Sequence, residues 1–287
     1  MVESSVVFID SGIGGLPYLD WLRERRPELP LYYFADTAHF PYGDLSRQAV
    51  RNAAVKAVRA LQSLGTPRLM VVACNTASVL ALDDIREAAN CPVIGTVPAL
   101  KPALHWQGPI GVLATVRTVQ SPYLDNLVST FAPGREIVRV AAGDIVNYVE
   151  ENWFAGEEDG ALAVLRPATK KLRESRVGSV VIGCTHFLYV IRLIKMLMGA
   201  GISVVDSLDG VGRRILSLLG MGIPKTESGE SGNVGGKGIR KRGDDSSLIS
   251  SGDGCVGGFM VSRGGIRDKR YRHFAQTRGL AWIGEIP

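Results

Sequence analysis

Short apolar runs rich in β-branched residues alternate along this chain with amphipathic stretches of helical length. The apolar runs predict strands at 5–9, 31–34, 69–73, 93–95, 110–114, 137–140 and 179–183, with a further pair at 202–205 and 259–261. The amphipathic stretches predict helices over 46–64, 77–89, 121–131, 158–174, 187–198, 208–220 and 267–277. Because continuous apolar strands separated by helices are typical of a parallel sheet covered on both faces, the pattern predicts a doubly wound α/β fold.

Residues 224–258 break this pattern. They contain ten glycines and six serines in 35 positions and show no sustained apolar period. Such a composition buries too little apolar surface to offset the entropy lost on ordering it. We therefore predict a flexible Gly/Ser-rich insertion here.

Composition narrows the class of protein. The chain has 287 residues, of which 46% are hydrophobic and 21% are charged, and this fits one large or two modest globular domains. It lacks an apolar run of about 18 residues, and its first five residues lack the basic start of a signal peptide, so we expect a cytoplasmic protein. The four cysteines, at 74, 91, 184 and 255, form no Cys-x-x-Cys pair, and we expect free thiols.

The net charge of +5 is concentrated near the C-terminal end. Residues 225–287 carry 11 Lys or Arg against 7 Asp or Glu, whereas the first 224 residues carry 22 basic and 21 acidic side chains. No recognisable nucleic-acid-binding module, and no interleaving of basic and aromatic residues, accompanies this excess. We therefore interpret 225–287 as a solvated terminal region and disfavour a nucleic-acid partner.

Two cysteines stand in matching contexts 110 residues apart. Each follows an apolar strand and a small residue and precedes a polar pair and a helix, in Ala73-Cys74-Asn75-Thr76 and Gly183-Cys184-Thr185-His186. A single cysteine in such a place is usually a small buried hydrophobic residue, but two in matching contexts favour a functional pair. Because N–H groups at a helix N-terminus stabilise a thiolate, we expect lowered pKa values for both thiols.

Polar turns that follow other predicted strands offer N–H donors for anions. The turn Asp10-Ser11-Gly12-Ile13-Gly14-Gly15 matches neither the dinucleotide-binding nor the Walker pattern, so we predict recognition of a small anion such as a carboxylate. A second turn around Tyr42 and Gly43 has N–H groups suited to another carboxylate oxygen. His186 is placed to donate a hydrogen bond to a thiolate or to relay a proton. No His, Cys and carboxylate spacing matches a usual metal site, and we expect none.

Taken together, these segments resemble glutamate racemase, within the aspartate/glutamate racemase superfamily. The resemblance rests on segments in the family's order and at its spacings, namely 10–16, Pro41-Tyr42-Gly43, 73–77 and 183–186. The stretch from Gly111 to Ser121 is similar as well. In all, the resemblance covers about residues 5–220.

The resemblance implies two doubly wound parallel-sheet domains related by pseudo-twofold symmetry, with the active site between them. We accordingly expect one α/β domain from 1–98 plus 208–287 and a second from 99–207. It also implies interconversion of L- and D-glutamate with neither pyridoxal phosphate nor another cofactor, which supplies D-glutamate for peptidoglycan. Members of the family are often homodimers, whereas the sequence itself leaves the oligomeric state open.

The resemblance also assigns roles to particular residues. Inversion is simplest with one proton acceptor and one proton donor on opposite faces of Cα, and two thiols suit both tasks. By the resemblance, Cys74 would deprotonate D-glutamate and Cys184 would deprotonate L-glutamate. Glu150 would support the thiols. The expected substrate contacts are Asp10, Ser11, Tyr42, Gly43, Asn75, Thr76, Thr185 and His186.

Three alternatives remain at this stage. The first is another racemase of the superfamily, acting on aspartate or a hydantoin. The second is a non-catalytic regulatory protein whose basic C-terminal region binds nucleic acid. The third, a thiol-redox enzyme, is disfavoured by the wide separation of the cysteines.

Overall fold

The computed structural model describes residues 2–152, 156, 158–222, 257–262 and 268–286. Its strands are β1 (Val6–Asp10), β2 (Leu31–Ala35), β3 (Leu69–Val72), β4 (Val93–Gly95), β5 (Ile110–Ala114), β6 (Ile137–Ala141), β7 (Ser179–Gly183), β8 (Ser203–Val205), β9 (Gly257–Ser262) and β10 (Ala281–Ile286). Its helices are α1 (Leu16–Arg25), α2 (Arg47–Gln62), α3 (Asn75–Ala88), α4 (Leu100–Ala103), α5 (Val116–Val119), α6 (Pro122–Phe131), α7 (Asp144–Glu151), α8 (Glu158–Glu174), α9 (Ile191–Met198), α10 (Leu208–Leu218) and α11 (Asp268–Gln276).

Two parallel sheets form the framework of the described residues. The first has six strands in the order β10-β9-β2-β1-β3-β4, and the second has four in the order β6-β5-β7-β8. Every strand pairing in both sheets is parallel. The predicted α/β class with parallel sheets is therefore confirmed.

Helices cover both faces of the first sheet. Successive residues of β1 belong to different cores: Val6 and Phe8 pack in the core that includes residues of α1 and α10, whereas Val7 and Ile9 pack in the core that includes residues of α2 and α3. A strand buried on both faces must be apolar at every position, and this explains the unbroken run that predicted it.

One core continues from the first sheet into the second. It contains Phe8 of β1 and also Val180 and Ile182 of β7. The opposite face of the second sheet packs Val112 and Val181 against α4 and α6. The shared core holds the carboxyl ends of the central strands of both sheets within one folded unit.

The strands of each sheet fall within one predicted segment. Strands β1–β4, β9 and β10 lie in 1–98 plus 208–287, and β5–β8 lie in 99–207. Helix α10 packs against α1 of the first segment. The division into domains at these boundaries stays a prediction.

The C-terminal region differs from the sequence expectation. Strand β9 is buried throughout between β2 and β10, and Tyr271 and Phe274 of α11 are buried as well, so the interpretation of this region as solvated is wrong for β9 and for the buried face of α11. The cations Lys269, Arg270 and Arg272 are exposed, as that interpretation expects. Gly257 and Gly258, assigned to the insertion, begin β9, and β10 was not predicted. The glycines belong there because a Cβ at Gly257 would lie 1.8 Å from the carbonyl oxygen of Leu31. Cys255 and residues 224–256 of the insertion lie outside the described residues.

Local signals account for several helix boundaries. Ser121 caps α6, since its Oγ accepts a hydrogen bond from the N–H of Leu124, and Pro122 opens the helix. The helix predicted over 187–198 is divided into a 3₁₀ turn, Thr185–Leu188, and α9. Within the described part of the chain, no helix has both the length and the apolar character needed to cross a bilayer.

Candidate active site

The two cysteines occupy equivalent places at the carboxyl ends of β3 and β7. Cys74 is the N-cap residue of α3, and Cys184 is the N-cap residue of the 3₁₀ turn that follows β7. Each is only 6% exposed. The two side chains interact electrostatically, because charge on Cys184 raises the pKa of Cys74. The structure thus brings residues 110 positions apart into one buried site.

The environment of Cys74 differs from the sequence expectation. Burial raises the pKa of the Cys74 thiol well above its usual range, and charges on Asp10 and Cys184 raise it further. The N–H groups of Ala77 and Thr76, at the start of α3, lower it, as the helix N-terminus argument requires. The predicted lowering of this pKa is therefore wrong, since loss of hydration outweighs the backbone donors.

Asp10 ends β1 beside these thiols and is completely buried. Its Oδ1 accepts hydrogen bonds from the N–H groups of Ser11 and Gly12, and its Oδ2 accepts one of 3.0 Å from the Thr185 hydroxyl. Burial raises the pKa of Asp10 to about 6, although His186, Gly12 and Thr185 act to lower it. The contact with Thr185 joins the loop after β1 to the loop after β7.

His186 lies between Cys184 and Glu150. Its Nε2 is 3.0 Å from Glu150 Oε1, and its ring also hydrogen-bonds the side chain of Cys184. Burial alone would lower the pKa of His186, but these two hydrogen bonds, with the charges on Glu150 and Asp10, raise it to about 10. An imidazolium therefore faces the sulfur of Cys184.

Glu150 joins the two halves of the site. Besides His186, its Oε1 accepts a hydrogen bond of 2.7 Å from the N–H of Ile13 in the loop after β1. The carboxylate approaches this loop so closely that a Cβ at Gly12 would lie 1.7 Å from Oε1. Gly14 is similarly close to His186 and Thr185, with its Cβ position 2.4 Å from Nδ1 of His186. The glycines at 12 and 14 thus allow the backbone to approach the charged residues.

Buried tyrosines fix the backbone of the same loop. The Tyr33 hydroxyl donates to the carbonyl oxygen of Gly12 and accepts from the N–H of Gly15. The Tyr189 hydroxyl donates to the carbonyl oxygen of Ile13 at 2.8 Å. The predicted contact residue Ser11 therefore lies in a loop that is held by one side chain from β2 and one from the segment after β7.

The Tyr42-Gly43 turn lies next to Cys74. The Tyr42 hydroxyl donates a hydrogen bond of 2.6 Å to Asp36 Oδ2, and burial raises the pKa of Tyr42 well above its usual range, with contributions from Asp36 and Cys74. Gly43 packs against Thr115, to which a Cβ would come within 3.0 Å. Sequence reasoning identified this turn but not Asp36, the carboxylate that orients it.

Asn75 and Thr76 begin α3, and their side chains reach different partners. Asn75 Nδ2 donates to the carbonyl oxygen of Thr96, whereas Thr76 Oγ1 is 3.0 Å from Thr115 Oγ1 and 3.5 Å from Thr118 Oγ1. Sequence reasoning did not select Thr115 and Thr118. The available signal was their position directly after β5, where parallel sheets present ligand-binding residues.

The hydrogen bonds of His186 with Cys184 and Glu150 make the stability of the fold depend on pH. Because the pKa of His186 is about 10 in the folded protein and 6.5 is its ordinary value, the folded state holds the proton more tightly. The protonated His186 therefore adds to the free energy of unfolding. This stabilisation is complete below pH 6.5 and is lost as the pH rises through about 10. We expect the stability difference between the parent and His186→Gln, from urea unfolding, to shrink by more than about 1.4 kcal/mol between pH 6.5 and 10. A difference independent of pH would contradict this assignment.

Comparison with solved structures defines the class of fold. The Escherichia coli glutamate racemase structure, which contains L-glutamate and the activator UDP-MurNAc-ala, is 29% identical, with a TM-score of 0.78 over 99% of this chain and 98% of that one. The Aquifex pyrophilus glutamate racemase is 29% identical, with a TM-score of 0.59 over 74% of this chain and 83% of that one. The fold is therefore that of the α/β amino-acid racemases.

Sequence comparison identifies the family. The Asp/Glu/Hydantoin racemase family profile matches residues 19–210. A glutamate racemase of Treponema pallidum is 33% identical over 279 residues, covering 96% of this chain and 94% of the relative. One from Sphingopyxis alaskensis is 37% identical, covering 75% of this chain and 82% of the relative. This chain belongs to the Asp/Glu/hydantoin racemase family.

Proposed function

We propose that this protein interconverts L- and D-glutamate by a two-base mechanism that uses no cofactor. The observation that carries the proposal is the placement of Cys74 and Cys184, buried together at the carboxyl ends of β3 and β7 and close enough for one charge to affect the other. The relatives that share 33% and 37% identity with most of the chain are glutamate racemases, which favours glutamate over aspartate or a hydantoin as substrate.

Proton transfer from L-glutamate begins at Cys184 in this mechanism. The Cys184 thiolate, paired with the His186 imidazolium, removes the proton from Cα, and the electron pair of that bond remains on the substrate as a carbanion. The Cys74 thiol then donates its proton to the opposite face, which leaves D-glutamate and a Cys74 thiolate. The pKa of Cys74, which burial raises well above its usual range, favours the neutral donor that this direction requires.

The reverse direction requires a thiolate at Cys74. Asp10 is the neighbouring group suited to accept the Cys74 proton, because its pKa of about 6 is well above that of an ordinary carboxyl group. The Cys74 thiolate then removes the Cα proton of D-glutamate, and Cys184, after taking a proton from the hydrogen-bonded His186 imidazolium, donates that proton to the other face. The two supporting carboxylates thus serve different cysteines, Asp10 beside Cys74 and Glu150 beside the His186–Cys184 pair.

Substrate carboxylates are held by donors from the surrounding loops in this proposal. Of the expected contacts, Thr76 and Thr185 lie within two residues of the thiols in the sequence, whereas Ser11 and Gly43 lie in the loops that follow β1 and β2. Fixed donors of this kind stabilise the negative charge that develops on deprotonation. Because both thiols are buried, the two halves of the site must separate to admit glutamate and close again to exclude water.

The nucleic-acid alternative is weakened by the contacts of the basic C-terminal region. Arg278 is largely buried and forms a bidentate ion pair with Asp20. Arg270 donates to the carbonyl oxygen of Glu150 at 2.7 Å. Arg278 is thus committed to an ion pair within the fold and is not available to a phosphate.

The decisive assay is circular dichroism of the purified protein with each enantiomer of glutamate and no added cofactor. We expect both enantiomers to reach a racemic mixture. We expect L-aspartate and a 5-substituted hydantoin to react at least about 100-fold more slowly, because buried polar groups that a different substrate leaves unpaired cost transition-state binding. Faster turnover of aspartate or the hydantoin would assign a different substrate, and no turnover of any substrate would refute the proposal.

The proposed activity also suggests a biological setting. As in the family, D-glutamate from this reaction would supply peptidoglycan synthesis. A reducing compartment such as the cytoplasm keeps the thiols of Cys74 and Cys184 free, as the mechanism requires. A homodimer stays a prediction, which light scattering of the purified protein would test.

A further inference from the structure

The C-terminal helix α11 contacts the carboxylate that supports the His186–Cys184 pair. The Tyr271 hydroxyl donates a hydrogen bond of 3.1 Å to Glu150 Oε2. Next to it, Arg270 Nη1 donates to the carbonyl oxygens of Glu150, at 2.7 Å, and of Glu151, at 3.3 Å. Helix α11 therefore holds both the side chain of Glu150 and the C-terminal end of α7.

Packing fixes the position of the Tyr271 hydroxyl. The ring is 1% exposed, and its centroid lies 6.0 Å from those of Phe259 in β9 and Phe274 in α11. Strand β9 is in turn paired on both sides, by β2 and β10. A hydroxyl held this way has little freedom to follow a moving carboxylate.

The two oxygens of Glu150 therefore serve different parts of the protein. Oε1 accepts from Ile13 and His186, inside the site, and Oε2 accepts from Tyr271, outside it. A carboxylate is planar, so fixing Oε2 also fixes the direction in which Oε1 meets Nε2 of His186. The orientation of the imidazolium at Cys184 then depends on α11.

We propose that Tyr271 is a positioning residue for the reaction, which acts through Glu150 on the His186–Cys184 pair. This inference rests on the proposed function. Through this one hydroxyl, the C-terminal region controls proton transfer at Cys184. It does not control proton transfer at Cys74.

The variant Tyr271→Phe tests the proposal, because it removes the hydroxyl and leaves the ring packing in place. We expect kcat to fall about tenfold, the size of effect typical when a partner that orients a charged catalytic group is removed. Tyr32→Phe is the matched control, since Tyr32 lies on β2 outside the contacts of Glu150, and it should retain activity within twofold.

Kinetic isotope effects separate positioning from a general loss of structure. The equilibrium constant of a racemisation is one, so kcat/KM is the same in both directions and cannot reveal which cysteine is impaired. With substrate deuterated at Cα, slower transfer at Cys184 makes that step more rate-limiting. The isotope effect on kcat/KM should therefore increase for L-glutamate and decrease for D-glutamate in Tyr271→Phe, whereas a partly unfolded enzyme would change neither.

A double-mutant cycle identifies Glu150 as the intermediary. In a Glu150→Gln background, Tyr271→Phe should lower kcat less than twofold further, because the carboxylate through which it acts is absent. A full tenfold loss in that background, or isotope effects that stay equal to those of Tyr32→Phe, would overturn the inference. Failure of the parent protein to racemise glutamate would instead refute the proposed function.

Discussion

Cys74→Ser and Cys184→Ser are each expected to lower racemisation of both glutamate enantiomers by about 10³-fold or more. A hydroxyl is far harder to ionise than a thiol, so each variant loses one of the two groups that must accept or donate the Cα proton. Racemisation in either direction uses both groups, one as base and one as acid. The measurement is the change in ellipticity with time, started from L-glutamate and from D-glutamate in separate experiments.

Exchange of the Cα proton with deuterated water distinguishes the two variants. Cys74→Ser keeps Cys184 and should still exchange the Cα proton of L-glutamate without inversion, whereas Cys184→Ser should exchange that of D-glutamate. Cys91→Ser is the matched control, because Cys91 lies before β4 and outside the site, and its activity should equal that of the parent. Near-normal racemisation by Cys74→Ser or Cys184→Ser would end the case for two thiols.

Gly12→Ala is expected to lower kcat about 100-fold without changing any ionisable group. The new Cβ would lie 1.7 Å from Glu150 Oε1 and 3.0 Å from Cδ2 of Phe40, so either the loop or the carboxylate must move. Movement breaks the hydrogen bonds that Oε1 forms with Ile13 and His186, and the orientation of the imidazolium at Cys184 is lost. Steady-state kinetics and the urea unfolding midpoint, measured on the same preparation, give the loss of activity and of stability.

Gly143→Ala is the control for this substitution. Gly143 is the N-cap residue of α7, the helix that carries Glu150, and a Cβ there meets no atom within 4 Å. It should therefore retain the parent activity. Equal activities for Gly12→Ala and Gly143→Ala would show that close approach of the loop to Glu150 is not required.

Much of the fold follows from local patterns. Strands buried on both faces, such as β1 and β7, are apolar at almost every position, and the short polar turns after them were recognisable from composition alone. In the C-terminal region the sequence predicted only 259–261 of β9, because the strand begins with two glycines, a local pattern that resembles the adjacent insertion. Its burial comes from pairing with β2, more than 220 residues earlier in the chain.

The candidate site shows the same division between local and long-range information. The Cys74 and Cys184 turns, with His186, were visible because each follows its own strand. Tyr271 gave no such signal, since its role depends on Glu150, 121 positions away in the sequence. Thr115 and Thr118 come near Thr76 only because α5, which follows a strand of the second sheet, packs against α3, which follows a strand of the first.

The sequence alone determined the α/β class and the strand-to-helix turns that carry the reactive groups, because these features depend on neighbouring residues and on the burial of each strand. Only the tertiary structure decided the ionisation of Cys74 and His186, the linkage of the two halves through Glu150, and the burial of the C-terminal region. The physical reason is that hydration, charge and packing at a buried group depend on every element around it, and these elements come from distant parts of the chain.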